Sequence, residues 1–543
     1  MKIFRSYFAG PLCGFCVLLL AVSAPPPDAH AARAKRNGSQ RILSKELFRK
    51  KIRAAIRREC RITGKVGVYI RSISARETLF DHRATEKRIP ASNIKLLTTA
   101  AALRYLGPDY TFPTDVYAHG EIEGGYLFGD LYLKGYGDPS LVQERVRELA
   151  FSIHLKGIRR ISGDLIGDDS FFDSERYGKK WKVKGSAKAY LAPYSALAVN
   201  FSLVRVLAEA GPKPGALARV QLVPPSDAIG LKNTLKTTSR RRRARVLVRR
   251  RAGKRKDWIH VSGRIPFRKG TRRYAVAVSD PTRFAAGTFS ALLKREGIRI
   301  QGKVLTGTTP PEARLLIRQN SRPLGEIIRG LNKHSNNLMA ELILKTMGAE
   351  MFGLPGTTEK GLLAVQRLLI QAGVPPGSFD LADASGLSRL NKITPKAIVA
   401  VLESMFHDFR LFPEYLASLA VVGVDGTIRK RLRRSSAARR VRAKTGLLAG
   451  VHALSGYAAA DNGETLVFSI LSNSQGCRPK RLMNRISLAM VHLDRPLPKG
   501  LYRRLFPSRQ MLSRPMPIPQ KRDRWRRSRR ARSGGEGALG GAR

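Results

Sequence analysis

The sequence predicts an α/β domain whose antiparallel sheet is assembled from both ends of the chain, with helices between them and a large β-rich insert hung from one loop. Three observations carry that reading. Apolar strands appear near the N terminus and again in a terminal meander, helical periodicity fills 94–106 and 324–406, and 110–305 reads as short glycine-rich strands. The chain has 543 residues, 43% of them hydrophobic, with 21 Phe and 15 Tyr. That is enough for about two to four cores at roughly 100–200 residues each, which excludes a wholly disordered protein. Four cysteines are too few for a disulfide-dense scaffold.

The first 31 residues read as a secretory signal. Lys2 and Arg5 precede an apolar stretch from Phe8 to Ala24, and Ala29-His30-Ala31 offers a small-x-small cleavage site. The other reading, an uncleaved anchor, is opposed by the short stretch and by Pro25-Pro26-Pro27, which would break its helix. An exported protein, periplasmic or otherwise associated with the cell envelope, is therefore expected. Lys+Arg number 100 against 40 Asp+Glu, a net charge of +60, so a polyanionic partner is expected. In an exported compartment nucleic acid drops out, and an anionic membrane or wall polymer, gripped by the basic tail, fits better.

The elements follow in order. Residues 43–60 form a basic amphipathic helix ahead of Gly64; Val66–Ile73 alternates as a strand, and Thr78–Phe80 completes a hairpin. Pro90 then starts a helix carrying Leu96, Leu97, Ala100, Ala101 and Leu103. Within the insert, Arg240–Arg243 and Arg249–Arg251 flank Val246-Leu247-Val248 as a charge-edged hairpin, whose plain reading is a solvated edge. Helices return at 324–348, 360–372 and 395–406. Strands at 441–444, 451–459 and 465–471 follow, with Asp461-Asn462-Gly463 as a tight turn, and a helix at 479–492 closes the fold. Residues 497–543, rich in Arg, Pro, Gly and Ser, read as a disordered basic tail.

Cys13 and Cys16 lie in the signal, leaving Cys60 and Cys477. If the strand after Cys60 lies antiparallel beside the strand ending near Ser472, both cysteines fall at one end of the sheet. A disulfide is then expected, against the alternative of two buried thiols. Neither zinc-type Cys/His spacing nor HExxH occurs, so no metal site is expected.

Three short motifs carry chemistry. Ser92 and Lys95, in Ser92-Asn93-Ile94-Lys95, stand one turn apart at a helix start, where a lysine amine reaches a serine hydroxyl. Ser335-Asn336-Asn337 precedes a helical stretch and is otherwise a polar cap. Lys444-Thr445-Gly446 lies on a meander strand, where Gly446 would let a substrate backbone approach; otherwise it is a strand-end turn. Each has a bland reading, but their order along one chain, on helix start, loop and strand, makes the bland reading a poor account of all three.

The set resembles the penicillin-binding proteins and serine β-lactamases. The long interval between Ser92 and Ser335 resembles the class C low-molecular-mass penicillin-binding proteins, the D-alanyl-D-alanine carboxypeptidase/endopeptidase family. Gly135-Tyr136-Gly137-Asp138-Pro139, Asp383–Arg389 and Gly423-Val424-Asp425-Gly426-Thr427 are similar to that family too, and the likeness spans about residues 45–495. It implies a discontinuous catalytic domain of the penicillin-binding-protein/β-lactamase-like transpeptidase type (32–109 and 306–496) interrupted by the 110–305 insert.

The resemblance also implies roles. Ser92 attacks the carbonyl of the penultimate D-alanine of a peptidoglycan stem peptide, Lys95 takes its proton, Ser335 relays a proton to the leaving amine, Asn337 orients substrate, and Lys444 faces its carboxylate. Backbone N–H groups of Ser92 and Leu447 would hold the oxyanion, beside Thr445 and Gly446. Asp168 and Arg389 match a side-chain subsite, though Ala449 stands where relatives carry a Gln. No metal or organic cofactor is needed, and β-lactams are expected to acylate Ser92. A β-lactamase or esterase on the same scaffold is the nearest alternative, and a non-catalytic polybasic envelope-binding protein the more distant one.

Overall fold

The computed structural model describes residues 44–496 apart from 184, 240–242 and 268–269. The signal at 1–31, Arg240–Arg242 of the arginine runs and the tail at 497–543 lie outside the described residues.

Ser44 caps the first helix, Lys45–Glu59, by accepting the Leu47 N–H at 3.3 Å. Its stripe of Phe48, Ile52, Ala55 and Ile56 is buried. The central sheet runs, strand by strand, Ala420–Val421, Val441–Leu448, Val451–Ala459, Thr465–Ser472, Val66–Ser72 and Glu77–His82, all antiparallel. Val66 pairs with Ser472 and Ser72 with Leu466, so the two chain ends share one sheet, as predicted. Side chains alternate between its faces. Val66, Val68, Ile70, Phe468 and Ile470 pack with the first helix and the last one, Pro479–Val491. Tyr69, Val467, Leu471 and Tyr457 pack on the opposite face with the other helices. Cys60 and Cys477 are disulfide-bonded, tying the end of the first helix to the approach of the last.

The predicted helical stretch 324–348 is two helices, Leu324–His334 and Asn337–Phe352, because Ser335 adopts a left-handed conformation (φ 58°, ψ 44°) between them. Asn337–Phe352 is buried continuously from Leu338 to Ala349, as expected of a helix apolar on all sides.

The insert is β-rich, as expected, with helices that the sequence reading does not place. It carries two helices, Gln143–Leu155 and Pro281–Arg295, packed in one core with its sheets. Buried Val146, Leu149, Ala150 and Ile153 show the helical period the glycine-rich texture had masked. The insert's main sheet also reaches past the predicted boundary at 305, since Arg314–Asn320 pairs antiparallel with Pro113–Glu123. Lys345 of the buried helix Asn337–Phe352 anchors the insert: its ammonium pairs with Asp173, donates to the Glu175 carbonyl at 3.2 Å and lies 5.0 Å from the Tyr194 ring centroid. No helix among the described residues is long and apolar enough to cross a membrane.

Candidate active site

Ser92 sits in the tight turn Ala91–Asn93 that feeds the helix Ile94–Tyr105. That turn is held from three sides. Asn93 Nδ2 donates to Ser455 Oγ at 2.6 Å, and Ser455 Oγ to Ser469 Oγ at 2.9 Å, a buried polar link from helix to sheet. A Cβ on Gly386 would stand 1.9 Å from the Ala91 carbonyl oxygen, and one on Gly446 2.5 Å from that of Pro90. Both glycines are therefore required by the turn itself. This corrects the expectation for Gly446: the space it leaves is filled by Pro90 and Ala91, not by substrate. Ala91 carries φ 47°, a left-handed strain directly before the serine.

Lys95, fully buried, points its Nζ at Ser92 Oγ (3.1 Å), Asn337 Oδ1 (2.7 Å) and the Ser385 carbonyl (2.5 Å). Burial lowers its pKa to about 7, against the opposing pull of Asp383 and then Glu341, which favour the charged form. The helix break puts Ser335 opposite the sheet, where Lys444 Nζ donates to its Oγ at 2.8 Å and to the Thr445 carbonyl at 2.9 Å. Burial, and then the charge of Lys95, hold Lys444 well below its usual range. Ser92, Lys95 and Asn337, distant in sequence, thus meet through the Lys95 amine, and Ser335 meets Lys444, giving two amine–hydroxyl pairs.

The strand Val441–Leu448 pairs on its outer side only with Ala420–Val421, which reaches Arg442 and Ala443. Beyond Ala443 its outer edge carries no strand among the described residues. Leu447 lies on that stretch, 65% exposed, and Thr445 Oγ1 contacts Thr427 Oγ1 at 2.8 Å.

Asp168 and Arg389 make no hydrogen bond or ion pair with each other among the described residues. Both carboxylate oxygens of Asp168 are engaged inside the insert, by the Ser170 N–H (2.8 Å), the Thr309 N–H (2.8 Å) and hydroxyl (2.6 Å), and Lys134 (3.3 Å). Burial pushes its pKa up, but the hydrogen bonds from Thr309 and Ser170 more than offset that and leave it lowered. Arg389 instead donates to the Ala449 carbonyl, a contact that asks nothing of the side chain at 449.

Sequence reasoning missed a second layer. Glu341, fully buried, accepts the N–H groups of Ser385 (2.9 Å) and Ala384 (3.2 Å). Asp383 accepts from Gly386 N–H (2.6 Å), Ser388 N–H (2.7 Å), Asn391 Nδ2 (2.8 Å) and Trp181 Nε1 (2.8 Å). Tyr190 offers its carbonyl to Asn337 Nδ2 at 2.9 Å. The signal for Glu341 is legible, a carboxylate inside a largely apolar helix; Trp181 sits in an insert loop and Tyr190 in the short helical turn Ala189–Leu191, neither with a local pattern.

This fold and this pairing of lysines with serines define a serine acyl-transfer site of the penicillin-binding type. The chain belongs to the D-Ala-D-Ala carboxypeptidase 3 (S13) family, whose pattern matches residues 48–494, and it is a serine-type carboxypeptidase. It is 34% identical over 448 residues to a D-alanyl-D-alanine carboxypeptidase of an Actinomadura species, covering 78% of this chain and 81% of that one. It is 28% identical over 454 residues to the D-alanyl-D-alanine carboxypeptidase DacB of Haemophilus influenzae, covering 81% and 91%. The crystal structure of penicillin binding protein 4 from Haemophilus influenzae superposes with a TM-score of 0.69 at 25% identity, over 84% of this chain and 99% of that one.

Proposed function

We propose that the protein is exported and trims peptidoglycan stem peptides by a two-step acyl transfer on Ser92. Lys95, neutral over much of the range above pH 7, takes the Ser92 proton as Oγ attacks the penultimate D-alanine carbonyl. The carbon–nitrogen bond breaks as Ser335 relays a proton to the departing D-alanine amine, its own hydroxyl being reloaded with the proton that Lys95 took from Ser92, so that both groups end the step as they began it. Water then attacks the ester, freeing the shortened peptide and restoring the serine hydroxyl. The unpaired edge at 444–448 suits an extended peptide added as a strand, with the Leu447 and Ser92 N–H groups toward the oxyanion. Asn337, fixed between Lys95 and Tyr190, orients the amine and the substrate amide. Lys444 receives the terminal carboxylate, whose negative charge favours the charged form of the amine that burial disfavours.

The observation that carries this reading is the buried Lys95 amine within 3.1 Å of Ser92 Oγ. A solved relative is complexed with a β-lactam, and the same attack on a lactam carbonyl leaves an acyl group on Ser92. Cross-linked peptides, whose amine leaving group is larger, fit the same chemistry as an endopeptidase reaction. The test is fluorescent-penicillin labelling of the mature protein beside Ser92→Ala, with mass spectrometry of the adduct and release of D-alanine from a stem pentapeptide. A stable adduct on Ser92 and serine-dependent D-alanine release are expected. Rapid penicillin turnover without D-alanine release would sink the peptidase assignment.

A further inference from the structure

One face of an insert sheet carries a cationic array with no catalytic use. The strand Asp257–Pro266 pairs antiparallel with Arg245–Arg251 and parallel with Ile229–Asn233 and Lys236–Thr238. The inward residues Ile259, Val261 and Ile265 are buried in the insert core. By alternation the register lines up outward residues in rows across the strands: Arg249–His260–Lys232 in the middle, Arg245–Arg264–Lys236 at one end, Arg251–Trp258–Gly230 at the other. Arg249 and Arg251 so placed stand about 6.8 Å apart along their strand, Arg245 about twice that beyond exposed Leu247, and residues paired across strands about 4.8 Å apart. Asp257, the strand's carboxylate, is buried on the inward side, bonded to Ser279. Among the described residues none of these six Arg and Lys side chains has a carboxylate partner, although ion pairs are frequent elsewhere. A cleft of about 360 Å³ lies here, lined by Lys232, Arg249, Arg251 and His260.

The third row adds an aromatic platform. A Cβ on Gly230 would stand 2.6 Å from Trp258 Cε3 and 2.7 Å from Cζ3, so the indole lies down over the bare Gly230 backbone. Trp258 is 41% exposed, with the Lys256 ammonium 5.1 Å from a ring centroid. A ring lying along a flat sheet at the end of a cation array offers a face for stacking rather than a wedge for insertion.

We infer that this sheet face binds an anionic polysaccharide, with a sugar ring stacked on Trp258 and carboxylates or phosphates along the chain meeting the Arg and Lys rows. It would hold the enzyme on its polymeric surroundings independently of the acylation site and of the basic tail. Charge complementarity and the recumbent indole select this occupant; a lipid surface would favour aromatic side chains projecting outward.

The test measures binding of the full mature chain to short polygalacturonate oligomers, to neutral dextran, and to vesicles of phosphatidylcholine with phosphatidylglycerol, over a salt series. Three proteins are compared: wild type, Lys232→Glu/Arg249→Glu, and Trp258→Ala, each keeping the tail. Penicillin labelling equal to wild type certifies that the variants are folded. The charge reversals are expected to weaken polygalacturonate binding by about tenfold or more at low salt. Trp258→Ala is expected to weaken it about three- to tenfold without changing the salt slope. Unchanged polygalacturonate affinity in the charge-reversal variant would overturn the inference and leave polyanion binding to other surfaces. So would vesicle binding lost in both variants without binding to polygalacturonate, which would make the face a lipid-contacting one.

Discussion

Trp181 of the insert donates its indole N–H to Asp383 Oδ2 at 2.8 Å, joining the insert to the loop whose Ser385 carbonyl holds the Lys95 amine. The insert is thereby part of the catalytic framework. Tyr190, through Asn337, makes a second such link.

Trp181→Phe removes one donor from a buried carboxylate while nearly preserving the packing. Leaving that oxygen with the Ser388 N–H alone is expected to cost about 1–3 kcal/mol of stability. The loop carrying Ser385 loosens, so the rate constant of acylation by penicillin is expected to fall further than the loss of stability accounts for. Thermal unfolding and stopped-flow acylation on the same preparation check this; a destabilised variant acylating at the wild-type rate would confine Trp181 to a structural role.

Acylation should rise with pH through about 7, because protonated Lys95 cannot accept the serine proton. Glu341, pushed up to about 8 first by burial and then by the charge of Asp383, ionises over a neighbouring range, and its carboxylate holds the lysine proton. Because Glu341 is mostly protonated where Lys95 titrates, Glu341→Gln is expected to leave the midpoint of the acylation profile near 7 and to remove only the added pull of the carboxylate above about 8. It also sets an amide NH₂ against a backbone N–H of Ala384 or Ser385, at a cost of about 1–3 kcal/mol. The linkage signs differ. Between about 7 and the ordinary lysine value the unfolded chain binds Lys95's proton and the native state does not, so this group makes stability rise with pH. Glu341, protonated in the native state up to about 8 and ionised earlier in the unfolded chain, makes stability fall as pH rises through that window.

The strands at both chain ends are legible from their alternation, and the Cys60–Cys477 bridge follows once those strands are set side by side, whereas the meeting of the three motifs rests on the family resemblance. The break at Ser335 is legible in part, since helical patterning runs over 324–348 while the polar triplet reads as a loop ahead of the second helical stretch. The boundary near 305 failed because the pairing of Arg314–Asn320 with Pro113–Glu123 is a long-range relation that no local window contains. The pairing of Asp168 and Arg389 in one subsite rests on family likeness alone; the partners the structure gives them are Thr309 and Ser170 for the first and the Ala449 carbonyl for the second.

Gly446→Ala tests whether the glycine serves the protein's own turn. The added methyl would meet the Pro90 carbonyl at 2.5 Å, the Ala453 Cβ at 2.9 Å and the Ala91 Cβ at 3.1 Å. The strand or the Ser92 turn must shift, for about 1–3 kcal/mol of overpacking. A displacement near 1 Å at the nucleophile costs on the order of 10²-fold in rate. Acylation by penicillin and hydrolysis of a stem peptide are expected to fall together, since both use the same displaced serine; loss of peptide hydrolysis alone would restore the substrate-approach reading of Gly446.

Lys444 is the remaining question of charge. Its ammonium is buried, its described partners are the Ser335 hydroxyl and the Thr445 carbonyl, and Lys95 repels it. A terminal carboxylate arriving at this point supplies the missing anion, so the interaction forms a desolvated pair rather than a screened surface contact. Lys444→Ala is therefore expected to lower kcat/KM for a D-alanyl-D-alanine peptide by about 30- to 1,000-fold, equivalent to about 2–4 kcal/mol. The decisive measurement is a cycle with the same peptide amidated at its C terminus. Wild type should prefer the free acid strongly, and the variant should treat acid and amide nearly alike. A variant that keeps the wild-type preference would show that the carboxylate is read elsewhere, with Arg389 the next cation to test.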